Sequence, residues 1–150
     1  MTVNLSAIAS FSNGKKKDKT DGIIPVYGGN GVFDHTGSYN SEDCVIIGRV
    51  GAYCGSIYYE PSKCWVSDNA IRCDAIGETD IKYLYYLLKT LKLGQRQIGT
   101  SQPLLTQVVL NAIELPYVPD SYTQKQIAIL LWQFDKTIKL NQQINGYLAA

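Results

Sequence analysis

The last thirty residues carry the clearest pattern of apolar and polar positions in the chain. A helix is predicted after Pro119, where Ser121 and, three residues later, Gln124 fit a capping box. Seam positions then recur in alternating steps of four and three residues, as in a coiled coil. These predicted seam positions are Ile127, Leu131, Phe134, Ile138, Asn141, Asn145 and Leu148. A helix of about 28 residues spans about 42 Å, which favours a spacer or assembly helix over one folded onto its own sheet.

Short apolar runs separated by polar turns fill the rest of the chain. Strands are predicted at residues 23–27, 44–50, 52–59, 70–76 and 113–118. Between them we predict turns at 28–31 and 61–63 and a loop at 34–41. A helix is expected to start at Thr79 or Asp80 and to stop at Gly94, and a short one should run from Thr106 to about Asn111.

This order of elements predicts the α+β class. Residues 1–118 are expected to form a strand-rich domain with packed helices, and residues 119–150 a long coiled-coil-type helix. A chain of 150 residues with 45% hydrophobic residues is large and apolar enough for one domain with an appendage.

Charge and cysteine usage narrow the possible functions. The formal net charge is +1, and the first 72 residues hold equal numbers of basic and acidic side chains. Bulk positive charge therefore cannot drive nucleic-acid binding, although a few residues can still make local contacts with nucleic acid. No signal peptide or membrane span is visible, so a cytoplasmic location is expected. The four cysteines lack the close pairs of a zinc site and are predicted to be free thiols.

No catalytic constellation is recognisable. His35 is the single histidine, and the glycine-rich turn at 28–31 lacks the features of a phosphate-binding loop. Asp80 and Lys82 have the spacing of some nuclease motifs, but a helix cap explains Asp80 better. We therefore expect no enzyme activity, no cofactor and no metal site.

Polar and aromatic side chains in the turns are candidates for recognition. Eleven tyrosines against three phenylalanines fit either a wet recognition surface or a strand-rich composition. Asparagine and glutamine suit adenine, arginine and lysine suit guanine, and all can approach phosphates. The candidate DNA-binding residues are Lys15, Lys16, Lys17, Lys19, Tyr27, Asn30, Arg49, Tyr53, Lys63, Ser67, Asn69, Arg72, Arg96 and Gln102.

Several of these segments carry a family likeness. Residues 24–31, 45–55 and 65–70 resemble the target recognition domain of type I restriction-modification specificity subunits. The more specific part is the Ser101-Gln102-Pro103 loop, the strand ending at Pro119, and the helical pattern Gln126-Ile127 to Asp135 and Ile138. These resemble that family's boundary between recognition domain and spacer helix.

The resemblance implies a non-catalytic subunit that reads double-stranded DNA for a methyltransferase (modification) subunit and a restriction subunit. Complete members of the family carry two recognition domains and two antiparallel spacer helices. This chain has one of each, so it is expected to be a half-subunit or a fragment that forms a two-fold homodimer through its helix. The alternatives are a protein-interaction module with a coiled-coil stem and no DNA role, and a small hydrolase, which the missing constellation disfavours.

Overall fold

Most strands precede the α-helices along the chain in a computed structural model that describes residues 1–149. Ala150, the last residue of the predicted segment 119–150, lies outside the described residues. The strands are β1 (Val3–Asn4), β2 (Ala9–Asn13), β3 (Ile24–Gly28), β4 (Gly31–Thr36), β5 (Ser41–Gly48), β6 (Ile57–Val66), β7 (Ala70–Ala75) and β8 (Glu114–Leu115). The α-helices are α1 (Ile81–Thr90), α2 (Gln107–Asn111) and α3 (Ser121–Ala149).

Six strands form the main sheet, in the order β2-β7-β5-β6-β3-β4. Neighbouring strands are antiparallel except β3 and β6, which run parallel. A separate two-stranded sheet joins β1 to β8 and so ties the start of the chain to the segment before α3. Mixed strands with helices packed on them confirm the predicted α+β class.

The central strand β5 separates two apolar cores. Val45 and Ile47 contribute to the larger core, which also contains Leu84 and Leu88 of α1. Ile46 contributes to a smaller core on the other face, because successive side chains of a strand point to opposite faces. The four cysteine thiols are buried in these regions, and none forms a disulfide.

The predicted loop at 34–41 is wrong, because most of its first half belongs to β4. A two-residue connection joins β3 to β4, with Gly28 paired to Gly31. Gly31 adopts φ +83°, a conformation that glycine reaches without steric cost. Because β4 is an edge strand with four consecutive exposed residues, its sequence does not alternate and reads as a loop.

The predicted turn at 61–63 is also wrong, since β6 runs through Pro61. Glu42 pairs with Lys63 and Cys44 with Glu60, so two residues of β6 face the single Asp43 of β5. Proline is tolerated at such a bulge because it has no N–H group to leave unpaired. The predicted strand at 52–59 accordingly starts late, at Ile57, and the predicted strand at 113–118 shrinks to Glu114–Leu115.

Helix α1 begins as predicted but ends earlier. The Asp80 side chain accepts a 2.9 Å hydrogen bond from the backbone N–H of Tyr83, which confirms the helix cap. The helix ends at Thr90, and Lys92 adopts φ +50° beyond it, so Gly94 is not the stop. The Thr106 cap of α2 is confirmed, with a 3.3 Å bond from the N–H of Val109.

Helix α3 is capped by Asp120 rather than by the predicted Ser121. The Asp120 carboxylate accepts from the backbone N–H and the hydroxyl of Thr123 at 3.0 and 2.8 Å. Gln124 does not complete a capping box but turns inward. Its side chain accepts from the N–H of Asp80 and donates to the carbonyl of Pro119, both at 2.9 Å.

Only the first four turns of α3 lie on the domain. Gln124, Ala128, Trp132 and Asp135 form the contacting face. Every residue from 133 to 149 is exposed, which agrees with a projecting helix. Of the predicted seam, Ile127 and Leu131 are half-buried beside the domain, while the remaining positions are exposed: Phe134, Ile138, Asn141, Asn145 and Leu148. Among the described residues, none of the helices combines the length and apolarity that a membrane span requires.

Candidate nucleic-acid interface

Four connecting segments lie against one another beside the sheet, and we call them the turn cluster: residues 28–31, 49–53, 67–69 and 98–105. Gly29 is in contact range of two of the other segments. A Cβ added there would lie 3.5 Å from the Cβ of Tyr53 and 3.9 Å from the carbonyl oxygen of Asn69. The hydroxyl of Ser56 donates to the carbonyl of Gly29 and holds the first segment in place.

Arg49 lies at the centre of the turn cluster. Its backbone N–H donates to Asn69 at 3.0 Å, and its carbonyl accepts from the N–H of Leu105 at 2.9 Å. Its guanidinium Nη1 donates to the carbonyl of Asp68 at 3.0 Å. The half-buried arginine thus joins three segments, and part of its donor capacity is already used.

The segment after β5 needs glycine for close backbone approach. A Cβ at Gly48 would fall 2.2 Å from the carbonyl oxygen of Tyr53. Gly48 also exchanges backbone hydrogen bonds with Ser56 and Gly55, at 2.9 and 2.8 Å. Any side chain at position 48 would therefore push Tyr53 out of the turn cluster.

A cleft of about 390 Å³ opens within the turn cluster. Its lining residues are Gly28, Gly29, Asn30, Gly31, Val32, Phe33, Val50, Tyr53 and Asn69. Phe33 packs on Gly28, where an added Cβ would meet its ring at 3.1 Å. The sequence reasoning missed Phe33 and Val50. An aromatic residue two positions after the Gly-Gly-Asn-Gly turn was the available signal.

The predicted lysines lie on the segment after β2, next to the 67–69 turn. The N–H of Lys15 donates to Val66 at 2.9 Å, and the indole of Trp65 donates to the carbonyl of Lys15 at 2.8 Å. Lys15, Lys16 and Lys19 are exposed. Lys17 differs, because its ammonium lies 2.6 Å from the Asp34 carboxylate; this hydrogen bond lowers the pKa of Asp34.

Asp18 anchors this lysine segment to the β4 region. Its carboxylate accepts hydrogen bonds from the hydroxyls of Ser38, Thr36 and Thr20. These hydrogen bonds, Ser38 first, hold the pKa of Asp18 well below its usual range. The lysine segment is therefore ordered by a charged group with several donors rather than by apolar burial.

Tyr27 and Arg72 make contacts within the domain. Tyr27 is 8% exposed, and its hydroxyl donates to the Glu60 carboxylate at 2.9 Å. Burial and that bond raise the pKa of the Tyr27 hydroxyl. Arg72 is half-buried, pairs with Asp74 at 2.7 Å and donates to the carbonyl of Asn40 at 3.2 Å. Neither residue lines the cleft of the turn cluster.

Three more predicted residues have other surroundings. Lys63 lies on the exposed middle part of β6, and its ammonium is 4.5 Å from the ring centre of Tyr39. Arg96 donates to the carbonyl of Leu91 at 3.0 Å and thereby caps the end of α1. Ser67 is 2% exposed; it lies in the turn cluster but below its surface, and its hydroxyl has no partner among the described residues.

The structure thus brings together six of the predicted residues that remain accessible. Asn30, Tyr53 and Asn69 line the cleft, Arg49 lies beside it, and Lys15 and Lys16 flank the 67–69 turn. Gln102 is exposed on the 98–105 segment. That segment contacts the 49–53 segment at Pro103, whose carbonyl accepts a 3.0 Å hydrogen bond from the N–H of Gly51. No group of three or more metal-ligating side chains occurs within residues 1–149.

The chain belongs to the type I restriction modification DNA specificity domain family, whose family model matches residues 2–149. Among curated proteins, the chain is 27% identical over 114 residues to the type I restriction enzyme EcoprrI specificity subunit of Escherichia coli. That alignment covers 75% of this chain and 28% of the longer relative. The resemblance predicted from the sequence is therefore confirmed.

Solved structures share the fold at low sequence identity. The type I restriction-modification S subunit of M. genitalium superposes with a TM-score of 0.80 at 18% identity, over 93% of this chain and 40% of that one. The HsdS subunit of Thermoanaerobacter tengcongensis gives 0.69 at 16% identity, over 93% and 38%. The chain thus spans about two-fifths of the length of these S subunits, and the likeness establishes the fold.

Proposed function

We propose that this chain reads a few base pairs of duplex DNA as part of a type I restriction-modification specificity subunit. In this role it directs partner methyltransferase and restriction subunits and carries no catalysis of its own. The observation that supports the proposal most is the family match over residues 2–149. The turn cluster adds a second observation, because it presents amide, guanidinium and aromatic groups together.

The distribution of polar groups fits two kinds of DNA contact. Asn30, Asn69 and Gln102 are exposed amides, which can pair with base edges in the major groove. Lys15, Lys16 and Lys19 are exposed cations, which would hold phosphates and set the register of the protein on the duplex. A net charge of +1 leaves much of the phosphate contact to the partner subunits.

We propose further that α3 pairs with a second copy of the chain around a two-fold axis. Phe134, Ile138 and Leu148 are 58%, 53% and 81% exposed, and an apolar row of this length is costly in water. A two-fold dimer would place two recognition domains on one duplex, so its DNA site would be an inverted repeat.

Selection from a pool of random duplexes, with the partner methyltransferase subunit present, tests the DNA proposal. We expect enrichment of one sequence. Gln102→Ala should then change the preference at one position by about 1–3 kcal/mol, the worth of a bidentate base contact. Joint replacement of Lys15, Lys16 and Lys19 by alanine should weaken all sequences alike and flatten the salt dependence.

The competing function is a protein-interaction module without a DNA role. It requires that no duplex sequence be enriched, and that the lysine and Gln102 variants behave like the unaltered protein. If the lysine variant changed sequence preference while Gln102→Ala did not, the two contact roles would be reversed.

A further inference from the structure

The cleft of the turn cluster is uncharged, although cations lie close to it. Arg49 lies outside the lining, with its guanidinium bonded to the carbonyl of Asp68. Lys15 is held beside the same turn through Val66 and likewise does not line the cleft. The cleft itself offers two carboxamides, of Asn30 and Asn69, and apolar or aromatic walls.

Asn69 is positioned for a partner outside the chain. Its backbone is fixed, because its carbonyl accepts from Arg49 and the next N–H, of Ala70, donates to Ser67 at 3.0 Å. The side chain is exposed, and within residues 1–149 its carboxamide makes no hydrogen bond. Asn40 provides the contrast. Its carboxamide donates to the carbonyl of Val66 at 3.0 Å and accepts from the same residue's N–H at 2.8 Å.

We propose that this cleft reads one A·T base pair through the major groove, with the Asn69 carboxamide on the adenine. The inference rests on the proposed DNA-reading function and specifies its chemistry at one position. An adenine edge presents the N7 acceptor beside the N6 donor, which matches the donor and acceptor of an asparagine side chain. A guanine edge presents two acceptors and suits arginine or lysine, and neither lines the cleft.

The apolar walls supply the second half of the recognition. Phe33 and Tyr53 are 61% and 53% exposed, and Val50 lines the cleft with them. In the major groove, thymine differs from cytosine by its 5-methyl group and an acceptor in place of a donor. Burying that methyl against the Phe33, Val50 and Tyr53 surface would favour thymine opposite the adenine.

Thymine-to-uracil substitution tests the methyl contact, because it removes only that methyl group. In the duplex selected by the unaltered protein, each thymine is replaced by uracil in turn. At one position we expect affinity to fall about fourfold, the equivalent of one buried methyl. Phe33→Ala should abolish that difference at the same position.

Asn69→Ala should reduce the preference for A·T over G·C at that same position by at least about fivefold. For a duplex that carries G·C at that position, the Asn69→Ala variant and the unaltered protein should have the same affinity. Since the fold uses the backbone and not the side chain of Asn69, this variant should retain the circular dichroism spectrum of the unaltered protein. Asn4→Ala, an exposed asparagine on β1 outside both the turn cluster and the α3 seam, is the matched control and should have no effect on base preference.

The outcomes separate the two proposals. If no sequence is enriched by the unaltered protein, the DNA-reading function and this inference both fail. If a sequence is enriched, but uracil is tolerated at every position and Asn69→Ala retains every A·T preference, only the assignment of the cleft is overturned.

Discussion

The sheet body and the outer part of α3 use apolar residues in opposite ways. In the body, Val45, Ile47 and Leu84 are 0% exposed. In α3, no residue from 133 onward is buried, although Phe134 and Ile138 are apolar. The body therefore buries its apolar residues within itself, whereas the outer helix carries apolar surface that nothing within residues 1–149 covers.

A small joint connects these two regions. Trp132 packs edge-on to Tyr59, with ring centres 5.7 Å apart, and the ammonium of Lys82 lies 4.7 Å from the Trp132 ring. The hydroxyl of Tyr86 donates to the Asp135 carboxylate at 2.6 Å. With the buried Gln124, these contacts fix the direction in which the helix leaves the body. Four predictions test the comparison, from the largest effect on the free energy of unfolding to the smallest.

Removing core volume in the body should have the largest effect. Leu84→Ala leaves a cavity next to β5 and should lower the free energy of unfolding by about 2–5 kcal/mol. The matched change Leu140→Ala, at a residue 56% exposed on α3, should cost less than about 0.5 kcal/mol. Urea unfolding monitored by circular dichroism measures both. Equal losses would contradict the difference between body and outer helix.

Gln124→Ala should have an intermediate effect. It leaves the N–H of Asp80 and the carbonyl of Pro119 without their side-chain partner in a buried place. We expect a loss of about 1–3 kcal/mol in urea unfolding. Gln143→Ala, exposed on the same helix, is the control and should be close to neutral. A neutral Gln124→Ala would show that water replaces the lost partner.

Phe134→Asp should alter assembly and not folding. The substitution puts a charge into the exposed apolar row, so sedimentation at micromolar concentration should change from dimer to monomer. The free energy of unfolding of the monomer should move by less than about 0.5 kcal/mol. Two monomeric proteins, unaltered and variant alike, would refute the proposed α3 interface.

Asp18→Asn should have the smallest, purely local effect. It weakens the hydrogen bonds to Ser38, Thr36 and Thr20, so trypsin should cleave faster after the lysines of residues 15–19 at neutral pH. Global unfolding should be unchanged. Asp21→Asn, exposed in the same segment, is the control.

The pH dependence of this contact has a definite sign. Because folding lowers the pKa of Asp18, its contribution is present above the ordinary carboxyl pKa of about 3.9 and is lost as pH falls through the lowered value. Cleavage susceptibility in the unaltered protein should therefore not change between pH 6 and 8. A change in that window would assign the ordering of the segment to another group.

Local signals predicted the elements whose residues interact with their sequence neighbours. The Asp80 and Thr106 caps and the long helix were predicted, and each depends on residues a few positions away. The failures have two causes. Pro61 fits a strand only because it lies in a bulge opposite Asp43, on a strand elsewhere in the sequence. The strand β4 pairs with its neighbour β3, but its exposed edge position removes the alternating pattern that would have revealed it.

The candidate site divides in the same way. Asn30, Tyr53 and Asn69 could be predicted, since polar and aromatic residues in turns are typical of recognition surfaces. Tyr27 and Arg72 belong to equally plausible segments, and only the tertiary structure shows that their side chains bond to Glu60 and Asp74.

By itself, the sequence determined the α+β class and the existence of a projecting helix with an exposed apolar row. These follow from composition, periodicity and caps, which act within a few residues of one another. The family was indicated separately, by the resemblance of segments such as residues 24–31, 45–55 and 65–70 to known specificity subunits. The tertiary structure alone decided that residues 28–31, 49–53, 67–69 and 98–105 meet, and that the first three of these segments line an uncharged cleft. That arrangement depends on hydrogen bonds such as Arg49 to Asn69 and Leu105 to Arg49, which join residues 20 or more positions apart. No local pattern encodes contacts of that range.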